Sequence, residues 1–487
     1  MNFFLNQGIG HGNSGVEHAE FYRAQCFSAK KMPFKLVFSD LLPELHTHLR
    51  EWGLKEAEVI GLYDFLLADD PTAYLENGSS SKQLRTFSSR VLTDQTNTQR
   101  IVTEKATGGY TIRRLKDKLY SEKDQIYIVD DAQVELVQGD HRVTWSYRPG
   151  PGVKVMQNIL LENFRGENYF FQTFEKLVSF FLAQLDKHFG QSTYFIDRGT
   201  FYDEALVRAK KSGSQQKIVG MVHANHFVEN LGGHPLFNNF YQYSLDHLDQ
   251  YDALVVATKA QKEAMHRDLQ GYTKAANIDK IVVIPVGGVT TVAPAKQWTG
   301  GQMRLVTASR LHQEKHLDQM IDAVKILVGQ GHDVILTIYG AGAEKDKLVQ
   351  QAKDAGLASR VKLAGLSQQV TKDIRPYDVF VSASYSEGFG LTYLEALSVA
   401  LPIASYANDF GAKELVTSGQ DGHLADFAVD DASREQNVNN LSAAILACFT
   451  GYDALSAGAV QVAENYQLDR IESAWVDLEK RLACALD

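Results

Sequence analysis

Twice in this chain a short apolar strand runs into a glycine-bearing turn and then into a helix. The first instance opens at residues 2–6, passes Gly8, Gly10, Gly12 and Gly15, and continues as a helix from Val16. The second opens at residues 303–307. A buried strand, a polar turn and a helix form the repeating unit of a parallel sheet, because parallel neighbours need a crossover between them. The rhythm recurs at 34–38, 193–197, 217–222, 253–257 and 280–284 in the first half. In the second half it recurs at 334–338, 361–363, 379–382 and 402–405. The chain is therefore read as α/β, with two doubly wound halves whose ligands sit beyond the carboxyl ends of the strands.

Between the early and later strands of the first half the texture changes. From about residue 71 to 155 period-two runs at 110–112, 125–129, 134–137 and 142–147 follow each other closely, with Asp130-Asp131 and Gly139-Asp140 as hairpin connectors. Strands at such spacing make an antiparallel meander. The α/β texture resumes with a helix expected over 170–187. The domain reading is 1–40 with 166–295 for a first Rossmann-like domain, 41–165 for a β-rich insertion into it, 300–470 for a second Rossmann-like domain, and 471–487 for a C-terminal helix. Residues 285–301 serve as the linker. Exposed edge strands make the insertion an expected assembly surface.

Two large domains suit 487 residues. A net charge of −10 argues against a nucleic-acid partner, which would want a basic stripe. No apolar run approaches bilayer length, and residues 1–6 lack the basic and apolar regions of a signal peptide. Cys26, Cys448 and Cys484 neither frame disulfides nor space like a zinc site, so a reducing, cytoplasmic home is expected.

The strongest local signal runs from Ser386 to Glu395: Ser-Glu-Gly-Phe-Gly-Leu-Thr-Tyr-Leu-Glu. A strand enters a glycine turn that opens a helix, and the N–H groups of that turn make an anion site. Glu387 at its mouth and Glu395, read as two turns into the helix, offer carboxylates suited to sugar and ribose hydroxyls. Ahead of it, Arg310 and Lys315 follow the first strand of the second domain. A guanidinium fork and a point charge there suffice to hold a diphosphate and to stabilise charge on a departing one. Either pair taken alone also reads as solvated surface charge. Gly340 and Gly342, after the strand at 334–338, either admit close backbone approach to a ligand or end the strand.

These strings resemble the retaining glycosyltransferases of the GT-B fold, family 4, which carry an E-x7-E motif in the second of two facing Rossmann-like domains. Glu387 and Glu395 fit that spacing, and Arg310 and Lys315 match the diphosphate-binding pair. The resemblance implies a UDP-sugar as substrate, no separate cofactor and no metal. It assigns Glu387, Gly388, Phe389, Gly390 and Leu391 to the donor sugar and phosphate, and Glu395 to the ribose. Leu366 falls where the base is held, and Gly340, Gly15 and Val16 border the donor. The segments Asn6 to Gly10, Ser14 to Glu17, Val222 to His226 and Ile196 to Arg198 look like a subgroup with a β-sheet insertion. That subgroup modifies serine-rich repeat adhesins of the accessory Sec route, and relatives glycosylate wall teichoic acid. It implies UDP-GlcNAc or UDP-glucose as donor, a serine-rich repeat acceptor, a role for His223 at the transferred sugar or the acceptor, and a homo-oligomer or a homologous partner subunit. The location implied is cytoplasmic, either free or peripheral to the inner face of the cell membrane. The loop at 232–239 is the place to seek what separates the two donors.

Gly10-x-Gly12-x-x-Gly15 with Asp40 fits a dinucleotide fingerprint but leaves the second-domain strings unused. His223 and His226 lack a third metal ligand. A non-catalytic acceptor-binding partner subunit is the alternative of another class, and the presence of Arg310, Lys315, Glu387 and Glu395 argues against it. The implied chemistry is front-face transfer with retention, no covalent nucleophile, and the departing phosphate as base.

Overall fold

The computed structural model describes residues 1–79, 90–94, 99–122, 125–148, 154–231 and 234–484. The chain divides into two compact units. One comprises residues 1–20, 31–221 and 239–253, the other residues 21–30, 222–238 and 254–487.

The first sheet contains seven strands. In chain order they are Asn2–Asn6, Phe34–Phe38, Val59–Gly61, Thr193–Ile196, Lys217–Val222, Ala253–Val256 and Ile281–Val283; in space they lie 3-2-1-4-5-6-7. Asn2–Asn6 pairs in parallel with Phe34–Phe38 on one side and Thr193–Ile196 on the other. All five of its residues are buried, as expected of a strand covered on both faces.

The second parallel sheet has six strands: Met303–Ala308, Val334–Tyr339, Val361–Gly365, Val379–Ser382, Ile403–Tyr406 and Gly422–Ala425. Their spatial order is 3-2-1-4-5-6. That is the Rossmann order, with its reversal between the first and fourth strands. Leu305, Leu336 and Val379 on the strands pack with Ile321, Val324 and Leu441 on the covering helices in one buried cluster. The fold is GT-B.

The insertion is a seven-stranded antiparallel sheet between the third and fourth strands of the first sheet, from Arg90–Asp94 to Glu167–Thr173. It differs from the sequence reading in two places. The helix expected from Phe170 starts at Phe174, because residues 167–173 complete the sheet against Met156–Phe164. Tyr169 and Phe171 alternate on one face, their rings 4.7 and 5.2 Å from that of Phe180, so the period-two aromatic pattern wins locally over the helical one.

Asp130 and Asp131 form no turn: they lie inside the strand Ile126–Gln138. Arg114 and Lys116 of the neighbouring strand reach Asp131 at 3.0 and 2.6 Å. Burial opposes ionisation of Asp131, but the lysine bond and the two cations hold its carboxyl below the usual range. Cross-strand cations thus make acceptable a pair of acids that strand propensity disfavours. Gly139-Asp140 does form the expected hairpin, joining Gln138 to His141. Gly139 has φ +55° and Asp140 is not in the left-handed region, as a type II′ turn requires.

At the base of the insertion His46 is buried between Glu56 and Asp64, 2.8 and 2.9 Å from its two ring nitrogens. Its backbone N–H donates to Thr107 Oγ1. Among the described residues no single helix is long and apolar enough to cross a membrane.

Candidate functional site

The switch point of the second sheet lies between Met303–Ala308 and Val379–Ser382, and the turns that leave these two strands carry the charged residues singled out from sequence. After the first strand the chain runs through Ser309, Arg310 and Leu311 into a short 3-10 turn at Gln313–Lys315. His316 follows at φ +45°, and the helix Leu317–Gly329 begins.

This loop is zipped onto the neighbouring strand end. Ser309 N–H donates to Tyr339 O at 3.0 Å, Leu311 N–H to Ala341 O at 2.9 Å, and Glu344 N–H to Leu311 O at 3.1 Å. Gly340 and Gly342 are what allow the fit. A Cβ on Gly340 would lie 1.9 Å from the Ser309 carbonyl oxygen, and one on Gly342 would lie 2.3 Å from that of Leu311. The close approach these glycines permit is therefore made by the Arg310 loop itself. Gly340 N–H also donates to Gly365 O at 2.8 Å, which ties in the turn bearing the exposed Leu366.

Arg310 is exposed and paired with Glu314 at 2.5 Å. Such a pair contributes at most about 1 kcal/mol, so an arriving anion can take the guanidinium at little cost. Lys315 is mostly buried, and its Nζ lies 2.6 Å from Glu387 Oε1. The cation assigned to the diphosphate and the carboxylate assigned to the sugar thus meet in one ion pair, which spacing alone could not show.

Glu387 is held by backbone on both sides. Gly388 rests against the His223 carbonyl, where a Cβ would come within 2.2 Å of the oxygen. On the other side Gly411 N–H donates to Glu387 O at 2.9 Å. Gly390 takes φ +83° as N-cap of the helix Leu391–Ser398, a conformation glycine adopts without a Cβ penalty. No side chain caps that helix, so the turn keeps N–H groups for an anion.

Phe389 supplies only backbone, since its ring is buried in the core beside Tyr466. Glu395 lies about one turn into the helix rather than two, because the helix starts at Leu391. Burial alone pushes its carboxyl up to about 7. The Tyr22 phenol is raised to about 12, first by burial and then by the charge of Glu395, which marks Tyr22 as a neighbour that sequence reading missed.

His223 follows the strand Lys217–Val222 directly. Three residues on, His226 is fully buried and its Nε2 pairs with Asp268 at 2.8 Å. Burial lowers its pKa against the pull of that carboxylate. Of the loop at 232–239, residues 232 and 233 lie outside the described residues.

In the other unit Gly15 and Val16 open the helix Gly15–Ala29. Ser14 and Glu17 form a reciprocal cap: Ser14 N–H donates to Glu17 Oε2 at 2.7 Å, and Val16 N–H to Ser14 Oγ at 3.3 Å. Arg198, from the turn after Thr193–Ile196, donates to Glu17 Oε1 and to Ser14 Oγ, both at 3.2 Å. Ser14 to Glu17 stood out in sequence only through the family resemblance, and its contact with Arg198, 181 residues away from Glu17, carries no local signature.

The pattern that defines the group 1 glycosyl transferases matches residues 291–442. That segment contains every charged residue of the second switch point. It is a group 1 glycosyltransferase domain.

Over 98% of both chains the protein is 28% identical to a UDP-N-acetylglucosamine–peptide N-acetylglucosaminyltransferase GtfA subunit of Streptococcus gordonii. It superposes on a chain of the GtfA/B complex with a TM-score of 0.72 and 25% identity over 99% of each chain. The same score, at 22% identity and equal coverage, relates it to the pneumococcal O-GlcNAc transferase GtfA bound to UDP and GlcNAc.

Proposed function

We propose that this glycosyltransferase moves N-acetylglucosamine from UDP-GlcNAc to serine or threonine hydroxyls of a serine-rich polypeptide, with retention at the anomeric carbon. The observation that carries the reading is the Lys315–Glu387 pair at the second switch point, with Arg310 one loop turn away and uncapped helix N–H groups beside it. This is the charge arrangement that a nucleoside diphosphate leaving group needs. The likeness to peptide N-acetylglucosaminyltransferases over nearly the whole chain supports N-acetylglucosamine ahead of glucose, and peptide ahead of teichoic acid.

In this mechanism the diphosphate draws Arg310 away from Glu314 and shares Lys315 with Glu387. Glu387, relieved of part of its ion pair, accepts hydroxyls of the donor sugar, and the N–H groups at Gly390–Leu391 face the phosphate. As the glycosidic bond breaks, negative charge grows on the β-phosphate, where the two cations stabilise it. The acceptor hydroxyl attacks from the same face and passes its proton to the departing phosphate oxygen. Glu395 binds ribose hydroxyls, backbone beside Leu366 faces the base, Gly340 borders the donor, and His223 borders the transferred sugar. Gly15 and Val16 keep the donor-binding assignment that the resemblance implies, and no metal or further cofactor takes part. The likeness to a chain of the GtfA/B complex supports a second subunit that presents the acceptor.

Release of UDP from UDP-GlcNAc by the purified chain tests the donor half of the reading. Lys315→Ala is expected to slow turnover by on the order of 10²- to 10³-fold while UDP still binds. Turnover unchanged in Lys315→Ala would remove the assignment.

A further inference from the structure

Phe410 lies outside every motif that the sequence singled out, yet its backbone takes a positive φ that non-glycine residues rarely adopt. It combines φ +68° with ψ −66°, and Gly411 N–H donates to Asp409 O at 3.0 Å. Together these define a γ-turn of positive φ, a rare and strained conformation. Strain of this kind persists only where the surroundings over-determine it, and it concentrates at functional sites.

What over-determines it is Asn408, fully buried and bonded through both of its amide hydrogens and its carbonyl oxygen. Asn408 Nδ2 donates to Ser384 O at 3.0 Å and to Tyr393 Oη at 3.2 Å, and Oδ1 accepts Ala412 N–H at 3.0 Å. Tyr393 Oη in turn reaches Ser382 Oγ and Ser405 Oγ, each at 2.8 Å. One side chain thus ties the ends of two strands, the helix after Glu387 and the helix after Phe410 into a single knot. The turn it fixes meets Glu387. Gly411 N–H is shared between Asp409 O and Glu387 O, and the space of its missing Cβ is filled by Glu387 Cβ at 2.7 Å and Phe389 O at 3.0 Å. The Phe410 ring is buried 5.9 Å from that of His226.

We infer that Asn408 and the Asp409–Phe410–Gly411 γ-turn are a positioning device that fixes Glu387 relative to Lys315 and the donor sugar. The inference rests on the donor-site reading of Glu387 given above. Neither Asn408 nor Phe410 touches substrate in it; both act through the backbone of Glu387.

A double-mutant cycle on UDP-GlcNAc turnover tests it, using Asn408→Ala and Glu387→Gln singly and together. A displacement of about 1 Å at a reacting centre costs on the order of 10²-fold. Asn408→Ala is therefore expected to lose roughly 30- to 100-fold in kcat, with KM for UDP-GlcNAc within about threefold of the parent. In the Glu387→Gln background the same change is expected to cost under threefold, because residues acting through one group are non-additive. Losses that multiply in the double variant would overturn the inference and make Asn408 a general prop of the fold. Full turnover in Glu387→Gln would instead sink the donor-site assignment itself.

Should Asn408→Ala fail to fold, Gly411→Ala takes its place in the cycle. Its Cβ would come within 2.7 Å of Glu387 Cβ, so it shifts Glu387 against the turn without opening a cavity in the core. The same non-additivity is expected there, and multiplied losses carry the same refutation.

Discussion

Replacing Gly340 by alanine should damage catalysis through a residue it never touches. The added Cβ would sit 1.9 Å from the Ser309 carbonyl oxygen, where real Cβ atoms keep at least 3.0 Å, so the loop must retreat by about 1.1 Å. It cannot swing freely, because Ser309 and Leu311 are bonded to Tyr339 and Ala341 on the same strand end. The backbone at φ +147° adds strain of about 1–3 kcal/mol for an L side chain. Arg310, next to Ser309, moves with the loop. A misplacement of about 1 Å costs on the order of 10²-fold in kcat/KM, equivalent to about 2.7 kcal/mol of transition-state stabilisation. Steady-state UDP release from UDP-GlcNAc reads the first effect, and a thermal melt the second. Wild-type kcat/KM together with an unchanged Tm would show that this close approach does not set the Arg310 loop, and the reasoning would fail.

Two further outcomes concern pH, and one concerns the other unit. Glu395, with its carboxyl raised to about 7 by burial, is neutral in the folded chain at a pH where the unfolded chain has already ionised it. Its burden on stability is absent below pH ~4.5, grows to pH ~7 and is complete above, at up to about 3 kcal/mol. Urea melts should show Glu395→Gln gaining on the parent through that window; a constant gap would contradict the account. For His46 burial opposes the charge, but Asp64 and Glu56 outweigh it and lift the pKa to about 9. Its stabilising contribution is complete below pH ~6.5 and fades as pH rises through about 9, so the gap between the parent and His46→Gln should close over that range. Arg198→Ala removes the two bonds to the Ser14–Glu17 cap. It should loosen the start of the capped helix and lower stability by about 1 kcal/mol in urea melts; an unchanged midpoint would refute a role for these bonds in holding the cap.

Most strands of both parallel sheets were legible because buried parallel strands leave continuous apolar runs, and Asn2–Asn6 and Val379–Ser382 read that way without ambiguity; the spatial order, and the short strands Val59–Gly61 and Gly422–Ala425, were not. The charged residues proposed for the donor site stood out because they sit in the strand-to-helix connections, or the helix that follows, of the second sheet. Local periodicity misplaced what distant pairing decides. Asp130-Asp131 reads as a turn until Arg114 and Lys116 come alongside, and residues 170–173 read as helix until Met156–Phe164 pairs with them. The ion pair of Lys315 with Glu387, 72 residues apart, carries no local signature. The knot at Asn408 was hidden for another reason: Asn-Asp-Phe-Gly is ordinary turn chemistry, and nothing in it announces a phenylalanine held at positive φ.

The account's central claim is that the residues around Lys315 and Glu387 activate a UDP-sugar for transfer to a polypeptide hydroxyl. Intact mass spectrometry tests it most directly, on an unmodified serine-rich peptide incubated with the purified chain and UDP-GlcNAc or UDP-glucose. The predicted result is a stepwise gain of N-acetylhexosamine units with UDP-GlcNAc, abolished in Lys315→Ala. A peptide that stays unmodified with either donor, even with a partner subunit supplied, while a teichoic acid polymer is glycosylated, would contradict it.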